Sequence, residues 1–306
     1  MQDAENTFNQ PLAGLSQSEW LHTLEQISIK HGDFHHLGPH HYASHIRGEE
    51  TLIVTFETMQ GIRALDEDAQ PMGWDMVKSF GWSNLVLISD GDTWFRDEAI
   101  FAYMDYLVDK GFFDEFDNVV FYGAGPCGYA AAAFSVVAPG ARVVAIQPQA
   151  TLDPSVASWD ERFTEERRRD FTSRYGYAPD MLDAAKEAFV IYDPTVALDA
   201  MHAALFTRDN VIKLPVRHMG ATIQTHFMEM RIMFRILVQV GTGKLSRKSF
   251  AKLMRARRDY PPYLRNLLSR LEAEDRSALV EQLCHNVTSR MKAPKFSRRL
   301  KELRSG

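Results

Sequence analysis

Six short apolar runs, interrupted only by Thr55 and Lys213, constrain this chain more than any other feature of its sequence. They are Leu52–Phe56, Leu85–Ile88, Val119–Tyr122, Val143–Ile146, Phe189–Tyr192 and Val211–Val216. Each is rich in β-branched and aromatic residues, and none alternates with polar ones. A strand with one wet face would alternate, so these runs read as strands buried on both faces, as in a parallel sheet. Helix-like patterns lie between several of them, Ala99–Lys110 and Tyr129–Val137 among others. Alternating strands and helices predict an α/β fold, a mostly parallel sheet with helices on both faces. His41–Ile46 adds an expected antiparallel strand ahead of the first run.

Two long stretches depart from this rhythm. Residues 159–187 are charged and contain Glu165-Glu166-Arg167-Arg168-Arg169-Asp170, which predicts a helical insertion over the sheet or a solvated connector. After Gln224 the pattern is helical throughout, with expected helices over Phe227–Val240 and Lys248–Arg257 and a break at Pro261-Pro262. Residues 244–304 hold 17 lysines and arginines against 6 acids, an excess of 11; the whole chain is at −5, so the remainder carries −16. This tail is a candidate surface for a polyanion or a protein partner. No apolar run approaches the roughly 18 residues of a membrane span. The N-terminus has no basic-then-apolar leader, and the two cysteines, Cys127 and Cys284, fit no metal or redox spacing, so the expected setting is a reducing cytoplasm.

The segment Tyr122-Gly123-Ala124-Gly125-Pro126-Cys127-Gly128-Tyr129 ends a strand, turns on glycines and opens an alanine-rich helix. Two families share this shape. Gly123-x-Gly125-x-x-Gly128 is similar to the phosphate-binding turn of FAD- and NAD-binding proteins, where a helix N-terminus faces a pyrophosphate. That fingerprint also calls for an acid about 20 residues on, whereas the next strand ends in Gln147-Pro148-Gln149.

The second resemblance covers about residues 50–225, to the esterase-like branch of the α/β-hydrolases. The glycine turn falls where that family has Gly-x-Ser-x-Gly. Two strands later Asp193-Pro194 resembles the family's acid loop, and His218 follows the next strand, in the hydrolase order of nucleophile, acid and histidine. This resemblance implies a fold built for acyl transfer, with Asp193 and His218 as vestigial or water-activating residues. Aligned on Gly123, however, the nucleophile position is Gly125, and no covalent intermediate can form on a residue without a side chain. The next residue should donate its N–H to the oxyanion, and Pro126 has none. One missing donor alone typically costs about 10²–10³ in rate. Cys127, inside the first helical turn, reads as a buried, inert thiol.

Other candidates are less specific. His31, His35, His36, His40, His41 and His45 crowd into fifteen residues, without the His-Glu-x-x-His helix of a zincin; Gly32, Gly38 and Pro39 among them predict a loop entering a strand. Trp94, after Asp90-Gly91-Asp92-Thr93, is read either as a pocket wall or as an aromatic staple in a tight turn. The whole chain also resembles bacterial proteins that bear a phosphoadenosine-phosphosulfate reductase label, through Thr55-Phe56-Glu57-Thr58 and the glycine turn. That reductase family's Ser-Gly-Gly-Lys-Asp-Ser loop and Glu-Cys-Gly-x-His motif are missing, and Cys284-His285 is only a faint echo.

The expected architecture is thus an N-terminal helical, His-rich segment (residues 1–39), an α/β-hydrolase-like domain (40–240) and a basic helical extension (241–306). The expected function is that of a degenerate, noncatalytic hydrolase relative binding a small ligand, with no cofactor and no metal. The alternatives are an adenine-dinucleotide-binding protein using Gly123, Gly125 and Gly128, and an interaction protein acting through its tail.

Overall fold

The computed structural model describes residues 10–305. The chain divides into two compact units, Met1–Phe250 and Ala251–Gly306.

The first unit is built on eight strands: β1 (Gly32–Leu37), β2 (His41–Ile46), β3 (Glu49–Thr58), β4 (Trp82–Ser89), β5 (Asn118–Ala124), β6 (Arg142–Ile146), β7 (Glu187–Tyr192) and β8 (Val211–Pro215). Their order is β1-β2-β4-β3-β5-β6-β7-β8. The first two pairings are antiparallel and the rest parallel. This order, with the glycine turn after β5, is that of an α/β-hydrolase-like sheet. All six apolar runs became strands. Residues 32–37, expected in a loop, pair with β2 as the sheet's edge, so the sheet begins before residue 40.

Alternate residues along each strand serve opposite layers. Val54, Phe56, Leu85, Leu87 and Phe121 face one core, with α4 (Glu98–Asp109) and α5 (Pro126–Phe134). Val86 and Ile88 face the other, with α1 (Gln17–His31), α2 (Met59–Leu65) and Trp74 of α3 (Trp74–Phe80). Ser16 caps α1 in a reciprocal capping box with Glu19, satisfying two otherwise orphaned N–H groups.

The insertion departs from expectation. It forms only short turns, over Glu161–Phe163 and Glu166–Arg168, and the single-turn helix Ala178–Met181. It is bound down rather than solvated. Arg96 donates to the carbonyls of Asp170 and Arg174 and to Ser173 Oγ, and Tyr129 OH donates to the carbonyl of Tyr175 at 2.6 Å. Trp94 is buried against Tyr129, Phe163 and Phe171, so of its two readings the staple holds.

The expected helix Phe227–Val240 is two helices, α9 (Ile223–Glu229) and α10 (Met233–Gly241), broken where Arg231 takes a positive φ of 55°. Arg247–Leu253 carries the chain past the division. The second unit holds α12 (Pro261–Ala273), α13 (Ser277–Thr288) and α14 (Pro294–Ser305), around Leu264, Leu268, Val280, Cys284, Val287 and Phe296. No helix among the described residues is long and apolar enough to cross a membrane.

Candidate functional site

The connections around β3 mark where a ligand would sit. From β3 the chain crosses to β4 on one side and returns to β5 on the other. Helices α2 and α5, which follow β3 and β5, therefore cover opposite faces, and the C-terminal ends of these two strands part to leave a crevice. A cleft of about 290 Å³ opens there. Thr58, Gly61 and Ile62 bound it on the β3 side, Ala124, Pro126 and Cys127 on the β5 side, and Gln224 and Met228 of α9 close it.

The turn after β5 is set by its glycines, for different reasons. A Cβ on Gly123 would lie 2.0 Å from the carbonyl oxygen of Cys127, so the strand end and the helix start can meet only at a glycine. Gly125 adopts φ 58°, ψ −126°, a backbone state that costs an L-residue strain and glycine almost nothing. A sharp, strained strand-to-helix turn is what presents a hydrolase nucleophile, and here the turn is formed around a hydrogen atom. The space is open: nothing lies within 4 Å of a Cβ built at Gly125. Its N–H donates to the carbonyl of Ile146 at 2.8 Å, and Pro126 has no N–H to offer.

Asp193 and His218 lie in the loops after β7 and β8, and the structure connects the loops without joining the side chains. Asp193, fully buried, accepts on Oδ1 from Thr195 N–H and Oγ1 at 2.8 and 2.7 Å. On Oδ2 it accepts from Gly220 N–H at 2.8 Å. The acid thus fastens the histidine's loop by its backbone. The imidazole of His218 is not among its partners, and neither side chain lines the cleft.

Sequence reading missed the most unusual carboxylate. Glu57 ends β3, is 9 % exposed and lines the cleft. It accepts from Thr55 Oγ1 at 2.7 Å and from Met72 N–H, shared between its two oxygens at 3.1 and 3.2 Å. Burial pushes its pKa up to about 7, against the pull of those hydrogen bonds and with a small push from Asp66. The available signal was an acid directly after the apolar run Leu52–Phe56, too near a core strand to be solvated. Cys127, beside it, is buried and its thiol is held above the ordinary range by burial and then by Glu57, so it is a poor nucleophile.

A buried polar network flanks the site. Gln147 occupies the position where a dinucleotide fold would have its ribose-binding acid. Its amide donates to Asp199 at 2.7 Å and accepts from Ile223 N–H at 3.0 Å. Arg162 spans Asp199 and Asp160, and His202 meets Asp160 at 2.9 Å. Because His202 Nδ1 accepts from Ala150 N–H, the ring proton is assigned to Nε2, which donates to Asp160. Burial lowers the pKa of His202, against the pull of Asp160. Burial works against Asp160, but hydrogen bonds from Arg162 and His202 hold it at about 2. The network ties the insertion to the loop after β6 and to α8 (Ala197–Leu205).

The histidine cluster is dispersed. His31 ends α1, His35 and His36 lie on β1, and His41 and His45 are buried on one face of β2, His41 bonding Thr93 Oγ1 at 2.7 Å and His45 packing on Phe112. Among the described residues no three His, Cys, Asp or Glu side chains are placed to hold a metal ion.

No family model matches the chain, and no curated protein does. Solved structures similar to it include an esterase from Pyrobaculum calidifontis, at 15 % identity over 82 % of this chain and 97 % of that one, TM-score 0.42. An acylaminoacyl peptidase from Pyrococcus horikoshii is 10 % identical over 68 % of this chain, TM-score 0.45. The glycosylation-associated Gap123 complex of Streptococcus agalactiae is 15 % identical over 67 %, TM-score 0.43. The chain spans less than half the length of the last two, 41 % and 46 %. The fold assignment rests on strand order and turn geometry rather than on these likenesses.

Proposed function

We propose that this protein is a noncatalytic relative of the α/β-hydrolases that binds a small ligand in the cleft between β3 and β5. The observation that supports this most directly is Gly125 at the nucleophile bend, in the strained backbone state and without a side chain, followed by a proline. Acyl transfer needs an attacking atom and N–H groups for the oxyanion, and this bend supplies neither. Water activation by His218 gains little support, because Asp193 is spent on Thr195 and the Gly220 N–H rather than on its ring, and the histidine stands outside the cleft lining. The dinucleotide reading is disfavoured by Glu57, Asp66 and Asp92 along the cleft, which would repel a pyrophosphate. The test is a fluorophosphonate probe together with p-nitrophenyl acetate. The expected result is no labelling and hydrolysis at the buffer rate; stoichiometric labelling of the native protein overturns the reading.

A second reading concerns the C-terminal unit. Its acids Asp259, Glu272, Glu274, Glu281 and Glu302 are each held by an arginine of the same unit. Arg255, Arg258, Arg265, Lys292, Lys295 and Arg298 remain exposed, a surface suited to a polyanion. Salt-sensitive retention on heparin, lost on substituting these residues, is the expected result, and retention unaffected by those substitutions removes the reading.

A further inference from the structure

We propose that the cleft selects a small organic cation, an alkylammonium or alkylguanidinium group on a short apolar body. This deepens the ligand-binding reading above and rests on it.

The lining is one-sided in charge. Among the described residues Glu57, Asp66 and Asp92 line the cleft and no lysine, arginine or histidine does; its other polar side chains, Thr58, Gln70 and Gln224, are neutral. Near the lining, Lys78 bonds the side chain of Gln70, Arg169 donates to the backbone carbonyl of Asp92 and Arg63 to that of Leu15, while Arg231 lines a neighbouring pocket that shares Met72 and Met228 with the cleft. An anionic ligand would meet three carboxylates and no cation of the cleft's own lining. A purely apolar one would cover carboxylates and leave them without water.

Glu57 is the group that needs a partner. An ionised carboxylate has about four lone-pair sites, and Glu57 receives two donors, the Thr55 hydroxyl and the shared Met72 N–H. It is nine-tenths buried and lines the cleft at the crossover from β3. A second buried group nearby points the same way. The Tyr122 hydroxyl, 1 % exposed, has no hydrogen-bond partner among the described residues. Tyr122 pairs with Thr55 across the sheet, on the face that carries Glu57, close enough for the carboxylate's charge to bear on the phenol. Tyr122 lies behind the lining, so Glu57 is the group that accepts from an N–H donor in the cleft, and an ammonium or guanidinium supplies several with the compensating charge.

The remaining walls set the rest of the ligand. Phe56, Ile62, Leu65, Met72 and Met228 are apolar, and the two methionines adapt to irregular shapes. The volume, about 290 Å³, is roughly ten times the share of a water molecule, room for on the order of ten non-hydrogen atoms. That suits a single amine or guanidine with a short chain or ring, and excludes a nucleotide or a long acyl chain.

The experiment is calorimetric titration and thermal shift of the full chain with n-butylammonium, n-butylguanidinium, butyrate and 1-butanol. The two cations should bind and raise the melting temperature, and butyrate and butanol should not. Glu57→Gln should weaken cation binding at least about tenfold. Met228→Trp, which fills the mouth with Glu57 intact, should abolish it, so the inference stays testable even where Glu57→Gln does not fold. Binding of butyrate or butanol as tight as that of the cations overturns the assignment, as does an absence of cation binding at tens of millimolar. Either failure removes the ligand class alone, because the missing nucleophile is judged separately by the fluorophosphonate probe.

Discussion

Glu57→Gln should change how stability depends on pH, in a direction the structure fixes. The carboxyl has a pKa of about 7 in the folded protein, raised by burial from an ordinary 4.5. Where a folded-state pKa is raised, the native state holds a proton that the unfolded chain has released. The benefit is complete below the unfolded value and is lost as pH rises through the folded one. Two to three pKa units correspond to about 3 kcal/mol. With almost no exposure at Glu57, solvent screening removes little of that. The measurement is urea unfolding of both proteins between about pH 4.5 and 8, taking the difference in unfolding free energy at each pH so that unaltered groups cancel. Asp66, the one carboxylate felt by Glu57, is present in both. Glutamine keeps an acceptor for Thr55 and Met72, so the two proteins should be similar near pH 4.5. By about pH 8 the variant should have gained about 3 kcal/mol on the wild type. A difference that stays flat, or one that grows in the wild type's favour as pH rises, would refute the reasoning, because the carboxylate would then be solvated or paired. Saturating n-butylammonium should shrink the gap by stabilising the ionised form.

Gly125→Ser should fold, since its Cβ meets no atom within 4 Å, but lose about 1–3 kcal/mol to backbone strain; esterase activity should not appear, and turnover above buffer would show that the missing Pro126 N–H is no obstacle. Gly123→Ala should be far more damaging, through the 2.0 Å approach to the Cys127 carbonyl, and soluble expression with an unchanged melting temperature would count against the tight turn. Cys127, whose thiol burial keeps protonated, should resist iodoacetamide at pH about 8 until urea unfolds the chain, and rapid modification of the folded protein would place it in solvent. Asp160→Asn should loosen the insertion, because Arg162 and His202 lose their shared carboxylate; a cost of about 2–4 kcal/mol is expected, allowing for the partial exposure of Arg162, with faster proteolysis within residues 159–187.

The strand set was legible because burial on both faces leaves a direct mark: a central strand has no position at which a polar side chain reaches water, so Leu85–Ile88 or Val143–Ile146 could hardly be anything else. The turn was legible for the same kind of reason, since sterics at Gly123 admit glycine alone and the positive φ at Gly125 favours it. Local sequence also misled. The apolar pattern from Phe227 to Val240 suggested one helix, and only packing breaks it at Arg231. Gly32–Leu37 reads as a loop because an edge strand needs no apolar run.

What belongs to tertiary structure is every property that depends on residues distant in the chain. Asp193 and His218 follow the hydrolase order, yet whether the acid reaches the imidazole or the backbone of Gly220 is settled by the path of two loops. Glu57 is one acid among many in the sequence, and it acquires its raised pKa only when β5, α2 and α9 exclude water from it. The network of Gln147, Asp160, Arg162, Asp199 and His202 is drawn from three separate segments. Sequence determines what each stretch of chain can bury; only the folded arrangement decides which polar groups are buried together, and the chemistry of a site follows from that company.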